Sequence, residues 1–371
     1  MSELRVLSVS LARFRNHTAW SSDLDGRLTV LVGQNAAGKT NILEAMMVAA
    51  TGGSFRSFIW EDLVKRGESE AVVAVQAARD GAPIDVALRV ESSGGREYSL
   101  NGRRRRRLSD VVGRIPMVSF VPEDLSMSKG PPEARRTPID ALGDRLSAAY
   151  SAIRIEYGRL VRQRNALLRQ GAPDDQLEPW DEMVASVGSS LAMHRTRLLA
   201  RMEQSAIEAY GRVSEGERLT VGYKADWASA TLEPAEAAEM PKDEIANAIA
   251  VALRERRSRE RERGSTLAGP HRDDVALSID GHAVRTYASQ GQHRTVALAW
   301  KMAEVAVVAE VAGVRPLLLL DDVMSELDEK RRTALAEYVI TGPQAIVTTT
   351  NLSYFASDML DAATVVRVGD G

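Results

Sequence analysis

Residues 28–50 read LTVLVGQNAAGKTNILEAMMVAA, and this stretch decides the fold. The apolar run at 28–32 predicts a buried strand, and the sequence from Lys39 onwards predicts a helix. The loop between them matches the phosphate-binding pattern of Gly, four residues, Gly, Lys and Ser or Thr, in the strand–loop–helix context that the pattern requires. The predicted nucleotide-binding residues are Gly33, Gln34, Asn35, Ala36, Ala37, Gly38, Lys39 and Thr40.

Each residue type in this loop has a chemical role. Gly33 and Gly38 permit the backbone conformations that aim successive amide groups at phosphate oxygens. The helix dipole adds about half a positive charge at the helix N-terminus. Lys39 is predicted to bridge the β- and γ-phosphates of ATP, and the Thr40 hydroxyl is predicted to bind Mg²⁺. In a chain with 27 glycines the glycine spacing alone arises by chance, but the added Lys–Thr pair makes chance a poor explanation.

A second half of the site is predicted nearly 300 residues later, at 315–332, which reads RPLLLLDDVMSELDEKRR. Four leucines followed by two carboxylates fit a strand that is buried on both faces and delivers acids at its carboxyl end, where parallel sheets bind ligands. Asp321 is then expected to bind Mg²⁺, and Asp322 to orient or deprotonate the attacking water. The alternative is a buried strand that ends in an acidic helix cap.

A further anion site is predicted where 287–310, YASQGQHRTVALAWKMAEVAVVAE, opens an amphipathic helix. Ser289, Gly291 and Gln292 place a hydroxyl, a flexible glycine and bare amides at a helix N-terminus. One chain does not easily use two such sites on one γ-phosphate, which favours a head-to-tail pair in which Ser289 and Gly291 of one copy close over the ATP of the other. An ordinary cap on a core helix is the alternative.

The patterning along the chain indicates a core that is interrupted and then resumed. Short β-type segments fill 4–121, long amphipathic helices fill about 147–263, and β/α alternation returns after Gly264. We therefore predict an α/β fold with a helical excursion, divided into 1–125, 126–264 and 265–371.

Composition excludes several classes of protein. The chain has 371 residues with 48 basic and 51 acidic side chains, a net charge of −3, no cysteine and five histidines. Disulfides, thiolate metal sites and cysteine nucleophiles are therefore ruled out, and a histidine-rich metal site is not expected. There is no apolar run of about 18 residues and no signal-peptide pattern at the N-terminus, so we expect a cytoplasmic protein with no membrane partner. The balanced net charge predicts that any contact with nucleic acid depends on local patches.

These motifs together resemble the RecF family of bacterial repair ATPases, which is similar to the SMC-type branch of the ABC ATPases. The resemblance covers nearly the whole chain in order. The segments that carry it are FRNH at 14–17, GQNAAGKTNILEA at 33–45, FRS at 55–57, FVPEDL at 120–125, RQRNALL at 162–168, PWD at 179–181, AGPHRDD at 268–274, SQGQHR at 289–294 and LLLDDVMSELD at 318–328.

The resemblance implies a fold and a function. The fold is an ABC-type ATPase head, in which a P-loop sheet flanked by helices and an antiparallel β lobe carry an inserted helical arm. The function is that of an ATP-dependent clamp in recombinational repair, replication-fork maintenance and the response to DNA damage. ATP binding drives homodimerisation at junctions of duplex and single-stranded DNA, RecR and RecO assist in loading RecA, and slow DNA-dependent ATP hydrolysis releases the clamp. We expect nucleoid association.

The resemblance also implies residue roles. Arg15 and Asn16 are expected to approach the nucleotide, and Ser325 to Asp328 to form the D-loop at the dimer interface. Two positions depart from the wider ABC pattern. Asp322 stands where many ABC ATPases have Glu, which suggests slow hydrolysis, and Thr349 or Thr350 stands near the position of the transporters' switch histidine. Gln76 lies in a strand pattern and is a poor candidate for the usual Q-loop glutamine.

Two charged runs are candidates for contact with DNA. The unbroken run Arg103, Arg104, Arg105, Arg106 and Arg107 follows LNG at a predicted hairpin tip, and we favour sequence-independent phosphate contact over a solvated basic loop. The run RERRSRERER at 254–263 alternates in charge and favours a salt-bridged exposed helix face. Two other functions remain open at this point: a nucleotide-binding subunit of a transporter, which the missing switch histidine and the helical insertion disfavour, and a small-molecule kinase, which leaves SQGQ unexplained.

Overall fold

The computed structural model describes residues 2–24, 26–56, 59–214, 216–228 and 230–369. Ser57, the last residue of the FRS segment, lies outside this described part. The strands are β1 (Leu4–Phe14), β2 (His17–Asp23), β3 (Leu28–Val32), β4 (Glu70–Arg79), β5 (Ala82–Glu91), β6 (Arg96–Leu100), β7 (Arg103–Arg105), β8 (Met117–Phe120), β9 (Leu219–Ala225), β10 (Ala230–Leu232), β11 (Asp274–Ile279), β12 (His282–Ala283), β13 (Leu317–Asp321), β14 (Ala345–Thr349) and β15 (Thr364–Arg367).

The helices confirm the predicted positions at Lys39, near 291–312 and near 328–341. They are α1 (Lys39–Thr51), α2 (Pro132–Leu146), α3 (Ala148–Arg169), α4 (Asp174–Val213), α5 (Pro234–Glu239), α6 (Lys242–Arg263), α7 (Val284–Tyr287), α8 (Gln290–Ala312), α9 (Val323–Glu326), α10 (Glu329–Thr341) and α11 (Ser357–Asp361). Within the described ranges, no helix has both the length and the apolar character needed to cross a membrane.

The chain forms two compact units, Met1–Leu125 with Glu304–Gly371, and Ser126–Ala303. The first boundary lies where the predicted arm begins. The second unit extends beyond residue 264, where the arm was predicted to end, because β11 pairs with β9 in a four-stranded sheet of order β10-β9-β11-β12.

Two sheets build the first unit. Five parallel strands lie in the order β15-β3-β14-β13-β8. Six antiparallel strands lie in the order β2-β1-β4-β5-β6-β7. The helix α1 contacts strands of both sheets, which explains why residues 42–50 of this helix are all buried. It ends at Gly52, whose φ of 71° is the left-handed conformation that closes many helices. The parallel register places the carboxyl ends of β3, β13 and β14 at one edge of the sheet, where the predicted site residues follow.

Helices dominate the second unit. The helix α4 has 40 residues and packs against α3, α5 and α6. The helix α2 continues through Pro138, so the proline at this position does not end the helix. Arginine–carboxylate pairs run through the interior of the unit, where Arg164, Arg195 and Glu260 are each at most 2% exposed.

Candidate nucleotide-binding site

The loop between β3 and α1 has the backbone shape that its glycines predict. Gly38 caps α1 with a φ of 98°, and Ala36 also has a positive φ of 67°. A Cβ atom on Gly33 would lie 2.2 Å from the carbonyl oxygen of Val368, so the close approach of these two backbone segments requires glycine. The sequence therefore folds this loop into a turn that opens the N-terminus of a buried helix.

Lys39 lies inside this loop and is only 7% exposed. Its Nζ donates hydrogen bonds to the carbonyl oxygens of Gly33 at 2.7 Å and Gln34 at 2.8 Å. Burial lowers the pKa of the lysine, against the opposing effects of Asp322 and then Asp321. The ammonium group is therefore held by neutral carbonyls next to two acids, without an ion pair of its own within 4.0 Å among the described residues.

Thr40 meets the end of β13 at Asp321. The Thr40 hydroxyl donates to Asp321 Oδ1 at 2.8 Å, across 281 residues of sequence. The hydroxyl of Thr348, at the end of β14, donates to the same oxygen at 2.8 Å. Thr348 also accepts a hydrogen bond from the backbone N–H of Asp322 at 2.9 Å. The structure thus brings the two predicted Mg²⁺ ligands together.

Thr348 is the member of this cluster that the sequence reasoning missed. The sequence points to Thr349 or Thr350 instead, but Thr349 bonds locally to Asn351, with Oγ1 donating to the carbonyl at 3.0 Å, and Thr350 is exposed. The parallel pairing of Asp321 with Thr348 is the signal that identifies the residue, and it depends on the register of β13 and β14.

Asp322, the predicted catalytic carboxylate, directly follows β13. Its φ of 50° places it in the left-handed region, where it turns the chain from β13 into α9. One of its oxygens, Oδ1, is buried without a hydrogen-bond partner among the described residues. Burial raises the pKa of the carboxyl, Lys39 opposes this rise, and Asp321 adds to it. A carboxylate with a raised pKa is a stronger base, and its unpartnered oxygen can still accept a hydrogen bond.

The donors at this edge fit Mg²⁺. The described residues contain no group of three or more His, Cys, Asp or Glu side chains arranged to hold a metal. Magnesium is commonly bound through one or two protein oxygens, with phosphate oxygens and water completing its shell. The Thr40 hydroxyl and the Asp321 carboxylate are two such oxygens, already within 2.8 Å of each other.

The β1–β2 turn contacts the same loop through Asn16. Its Nδ2 donates to the carbonyl oxygen of Ala36 at 3.4 Å, and its Oδ1 accepts from Asn41 at 2.8 Å. The neighbouring Arg15 instead makes a two-point ion pair with the fully buried Glu44 of α1, at 2.8 and 3.0 Å. Arg15 therefore anchors α1 in this structure, and its expected contact with the nucleotide stays a prediction.

Comparison with known proteins identifies the family. The family described as RecF/RecN/SMC N terminal domain matches residues 5–368. A protein of Synechococcus sp. (strain JA-3-3Ab), named DNA replication and repair protein RecF, is 39% identical over 367 residues, which cover 97% of this chain and 95% of that protein. The protein of the same name from Gloeobacter violaceus is 37% identical over 370 residues, covering 98% and 96%. The chain belongs to the RecF family.

Solved RecF structures agree with the fold. One, described as the recombination mediator protein RecF-ATPrS in RecFOR pathway, superposes with a TM-score of 0.86 at 28% identity and covers 95% of this chain and 94% of that chain. Another, described as RecF-ATP, has a TM-score of 0.81 at 29% identity, with 95% of each chain covered. An SMC head domain from Pyrococcus furiosus, at 15% identity and a TM-score of 0.56 over 98% of this chain and 93% of that chain, shares the fold. The predicted ABC-type ATPase head with its helical insertion is confirmed.

The predicted signature residues of this RecF-family chain belong to the second unit and form a reciprocal helix cap. The backbone N–H of Ser289 donates to Gln292 Oε1 at 2.7 Å, and the backbone N–H of Gln292 donates to Ser289 Oγ at 3.2 Å. The Gln292 amide also donates to Glu217 Oε1 at 2.8 Å. Gly291 lies between them in the first turn of α8. Both side chains are thus ordered by their own chain, and a role towards a second copy stays a prediction.

The five-arginine run begins in the second strand of a hairpin, β7 (Arg103–Arg105), and continues through Arg106 and Arg107. The turn consists of Asn101 and Gly102, with φ values of 51° and 70°, and Leu100 pairs with Arg103 across it. Arg104 pairs with Glu97 at 3.2 Å. Of the five arginines, all but Arg105 are exposed. β7 lies at the edge of the six-stranded sheet, so the hairpin presents a basic surface.

Proposed function

We propose that this RecF-family chain is an ATP-dependent DNA clamp in recombinational repair and replication-fork maintenance. ATP binding drives homodimerisation at junctions of duplex and single-stranded DNA, where the dimer works with RecR and RecO in loading RecA. Slow, DNA-dependent hydrolysis of ATP to ADP and phosphate releases it. We place the protein in the cytoplasm, associated with the nucleoid. The observation that carries the proposal is the meeting of Thr40 and Asp321 at 2.8 Å beside Lys39.

ATP binding depends on the phosphate loop. The backbone amides of Gly33 to Thr40 and the N-terminus of α1 supply partial positive charge, and Lys39 adds a full charge to the β- and γ-phosphates. The carbonyls of Gly33 and Gln34 hold the ammonium group in the loop until phosphate oxygens, which are better acceptors for a cation, replace them. Thr40 and Asp321 would hold Mg²⁺, which would supply positive charge to the bound phosphates.

Hydrolysis depends on Asp322. Its unpartnered Oδ1 accepts a hydrogen bond from the attacking water, and its raised pKa lets it take the proton. The side chain is one methylene shorter than the Glu that many ABC ATPases carry, so its reach to the water is shorter and we expect slow turnover. Slow turnover suits a clamp, because the closed state then persists on DNA.

Dimerisation depends on the signature residues. The second copy places Ser289, Gly291 and Gln292 over the nucleotide, and the capping bonds between Ser289 and Gln292 preorganise them for that contact. DNA binding uses Arg103 to Arg107, because the hairpin presents arginines that can contact phosphates irrespective of sequence.

The experiment compares the molar mass of the Asp322→Asn variant, measured by light scattering after size exclusion, with ATP and Mg²⁺, with ADP and without nucleotide. Asn keeps the shape of Asp but cannot act as a base, so hydrolysis should fall by about 100-fold or more. Of the three conditions, we expect a stable dimer only with ATP and Mg²⁺. A monomer under all three conditions would rule the clamp out.

The matched control for this experiment is Ser289→Arg in the Asp322→Asn background. Arginine at Ser289 removes the cap and fills the anion site, so ATP should still bind to the single chain while no dimer forms. Dimers that persist in this double variant would contradict the role of the signature residues across the interface, while leaving the ATP site itself intact.

A further inference from the structure

A basic cleft lies at the other end of the parallel sheet of the first unit. It has a volume of about 510 Å³, and its lining includes Arg5 of β1, Arg27 just before β3 and Arg315 just before β13. The phosphate loop follows the carboxyl end of β3, whereas Arg27 precedes its amino end. The cleft is therefore separated from the nucleotide site by the length of a strand of five residues, about 17 Å.

Two of the arginines converge on one backbone oxygen. Arg27 Nη1 donates to the carbonyl of Gly342 at 3.3 Å, and Arg315 Nη1 donates to the same carbonyl at 3.2 Å. Each arginine also donates to a second carbonyl at the C-terminus of α10. Arg27 Nη1 donates to the carbonyl of Ile340 at 3.4 Å, and Arg315 Nη1 donates to that of Thr341 at 3.5 Å. Among the described residues, two like charges are thus held side by side by neutral oxygens.

Helix capping accounts for only part of this arrangement. The negative end of the dipole of α10 attracts cations, and the Nη1 amino group of each guanidinium donates to two of the last carbonyls. Each guanidinium has five N–H donors, so most of the donors are not used by the cap. In the described part of the chain, no carboxylate lies within 4.0 Å of Arg5, Arg27 or Arg315. The only acidic side chain among the described residues that line the cleft is Glu3.

We propose that this cleft binds an acidic segment of a partner protein, with a carboxylate seated between Arg27 and Arg315. Arginine binds carboxylates through two parallel hydrogen bonds, and two neighbouring arginines with no carboxylate within 4.0 Å among the described residues offer the complementary charge. Duplex DNA fits the feature less well, because its backbone is neutralised by a track of about six to ten phosphate contacts, and this cleft is concave and lined by three arginines. Arg5 lies on the wall, where it contacts a second acidic side chain of the same segment.

The test measures binding of the full chain to a fluorescein-labelled peptide of alternating Glu and Gly, by fluorescence anisotropy at low salt. The Arg27→Gln/Arg315→Gln variant removes both charges but keeps an amide N–H that can donate to Gly342. Loss of charged hydrogen bonds should weaken peptide binding by about tenfold or more. The Gln–Gly version of the peptide should not bind the wild-type chain. Equal affinity of variant and wild type, or no binding of the acidic peptide, overturns the proposal.

Three controls separate the outcomes. Arg66→Gln removes an exposed arginine of the same unit that does not line the cleft, so it should leave peptide binding unchanged. Arg27→Lys/Arg315→Lys keeps the charges and should retain part of the affinity, which protects the test against a variant that fails to fold. A labelled DNA duplex with a single-stranded overhang tests the competing partner. If the Gln variant loses DNA binding and keeps peptide binding, the cleft is a DNA contact and the proposal is wrong.

Discussion

The phosphate-loop edge of the first unit and the interior of the second unit use charge in opposite ways. At the edge, Lys39 rests on neutral carbonyls and Asp322 has a buried oxygen with no partner among the described residues. In the interior, the fully buried Arg164 donates to Asp181 at 2.6 Å and to Glu260 at 2.6 Å. Incomplete pairing leaves groups available for a ligand, whereas complete pairing commits them to the fold.

The same contrast separates two motifs that are equally polar in sequence. The segment AGPHRDD at 268–274 supplies Asp273, which accepts hydrogen bonds from the Tyr223 hydroxyl, the Trp227 indole and the backbone of Asp226. Asp321 and Asp322 instead lie at the end of β13, where Asp322 Oδ1 has no hydrogen-bond partner among the described residues. Two neighbouring acids thus differ in how far their hydrogen bonds are satisfied: Asp273 is bonded within its unit, whereas Asp322 keeps one oxygen without a partner among the described residues.

The largest effect should come from breaking the paired interior. Arg164→Met leaves Asp181 and Glu260 buried, and Glu260 without its cation, so the free energy of unfolding should fall by about 3 to 5 kcal/mol. Denaturant unfolding followed by circular dichroism measures it. The exposed Arg159 of the same helix, which pairs with Glu156 at 2.7 Å, is the matched control, because exposed pairs contribute little. Comparable losses for Arg164→Met and Arg159→Met would contradict the contrast.

A smaller effect should appear in the pH dependence of stability. Burial raises the pKa of Asp273 to about 6 from its ordinary 3.8, although Arg195 opposes the rise. Because the folded state binds this proton more tightly, the contribution of Asp273 is present at low pH and is lost as the pH rises from 3.8 to about 6. Over this pH range, the contribution of Asp273 to the free energy of unfolding should fall by roughly 3 kcal/mol.

His271 has the opposite effect on stability in the same pH range. Burial lowers its pKa to about 4, so its contribution to the free energy of unfolding rises with pH. The informative measurement is therefore the difference in unfolding free energy between wild type and Asp273→Asn at several pH values. We expect wild type to lose stability relative to the variant as the pH rises through this range. A difference that does not change with pH would show that Asp273 does not titrate within it.

Local sequence was sufficient to predict the phosphate loop and the strand that carries Asp321. Both depend on short patterns, a glycine-rich loop before a helix and an apolar run before acids, whose physical causes lie within a few residues. Thr348 was missed because its role depends on the parallel register of β14 with β13, and register is a property of the folded sheet.

The charge pattern of a helix did not identify the residues with which its charges pair. The run at 254–263 was interpreted as a salt-bridged exposed helix face. Its charges do pair, but with other elements: Arg256 with Asp226, Arg257 with Asp174 and Asp181, and Glu260 with Arg164 in the interior. The sequence gives the charges of a helix, whereas the partners are fixed by how α3, α4 and α6 pack.

The smallest effect on stability should come from the edge, where Lys39→Ala removes a charge without breaking an ion pair. Its partners are the carbonyls of Gly33 and Gln34, and burial already lowers its pKa, so the free energy of unfolding should change little. ATP affinity, measured by calorimetry, should fall by about 10- to 100-fold, because a charged hydrogen bond to phosphate is lost. Lys65→Ala, which removes a lysine bonded to the neutral Thr18 hydroxyl, should leave ATP affinity unchanged. If Lys39→Ala lowered the free energy of unfolding by as much as Arg164→Met does, the edge and the interior would use charge alike.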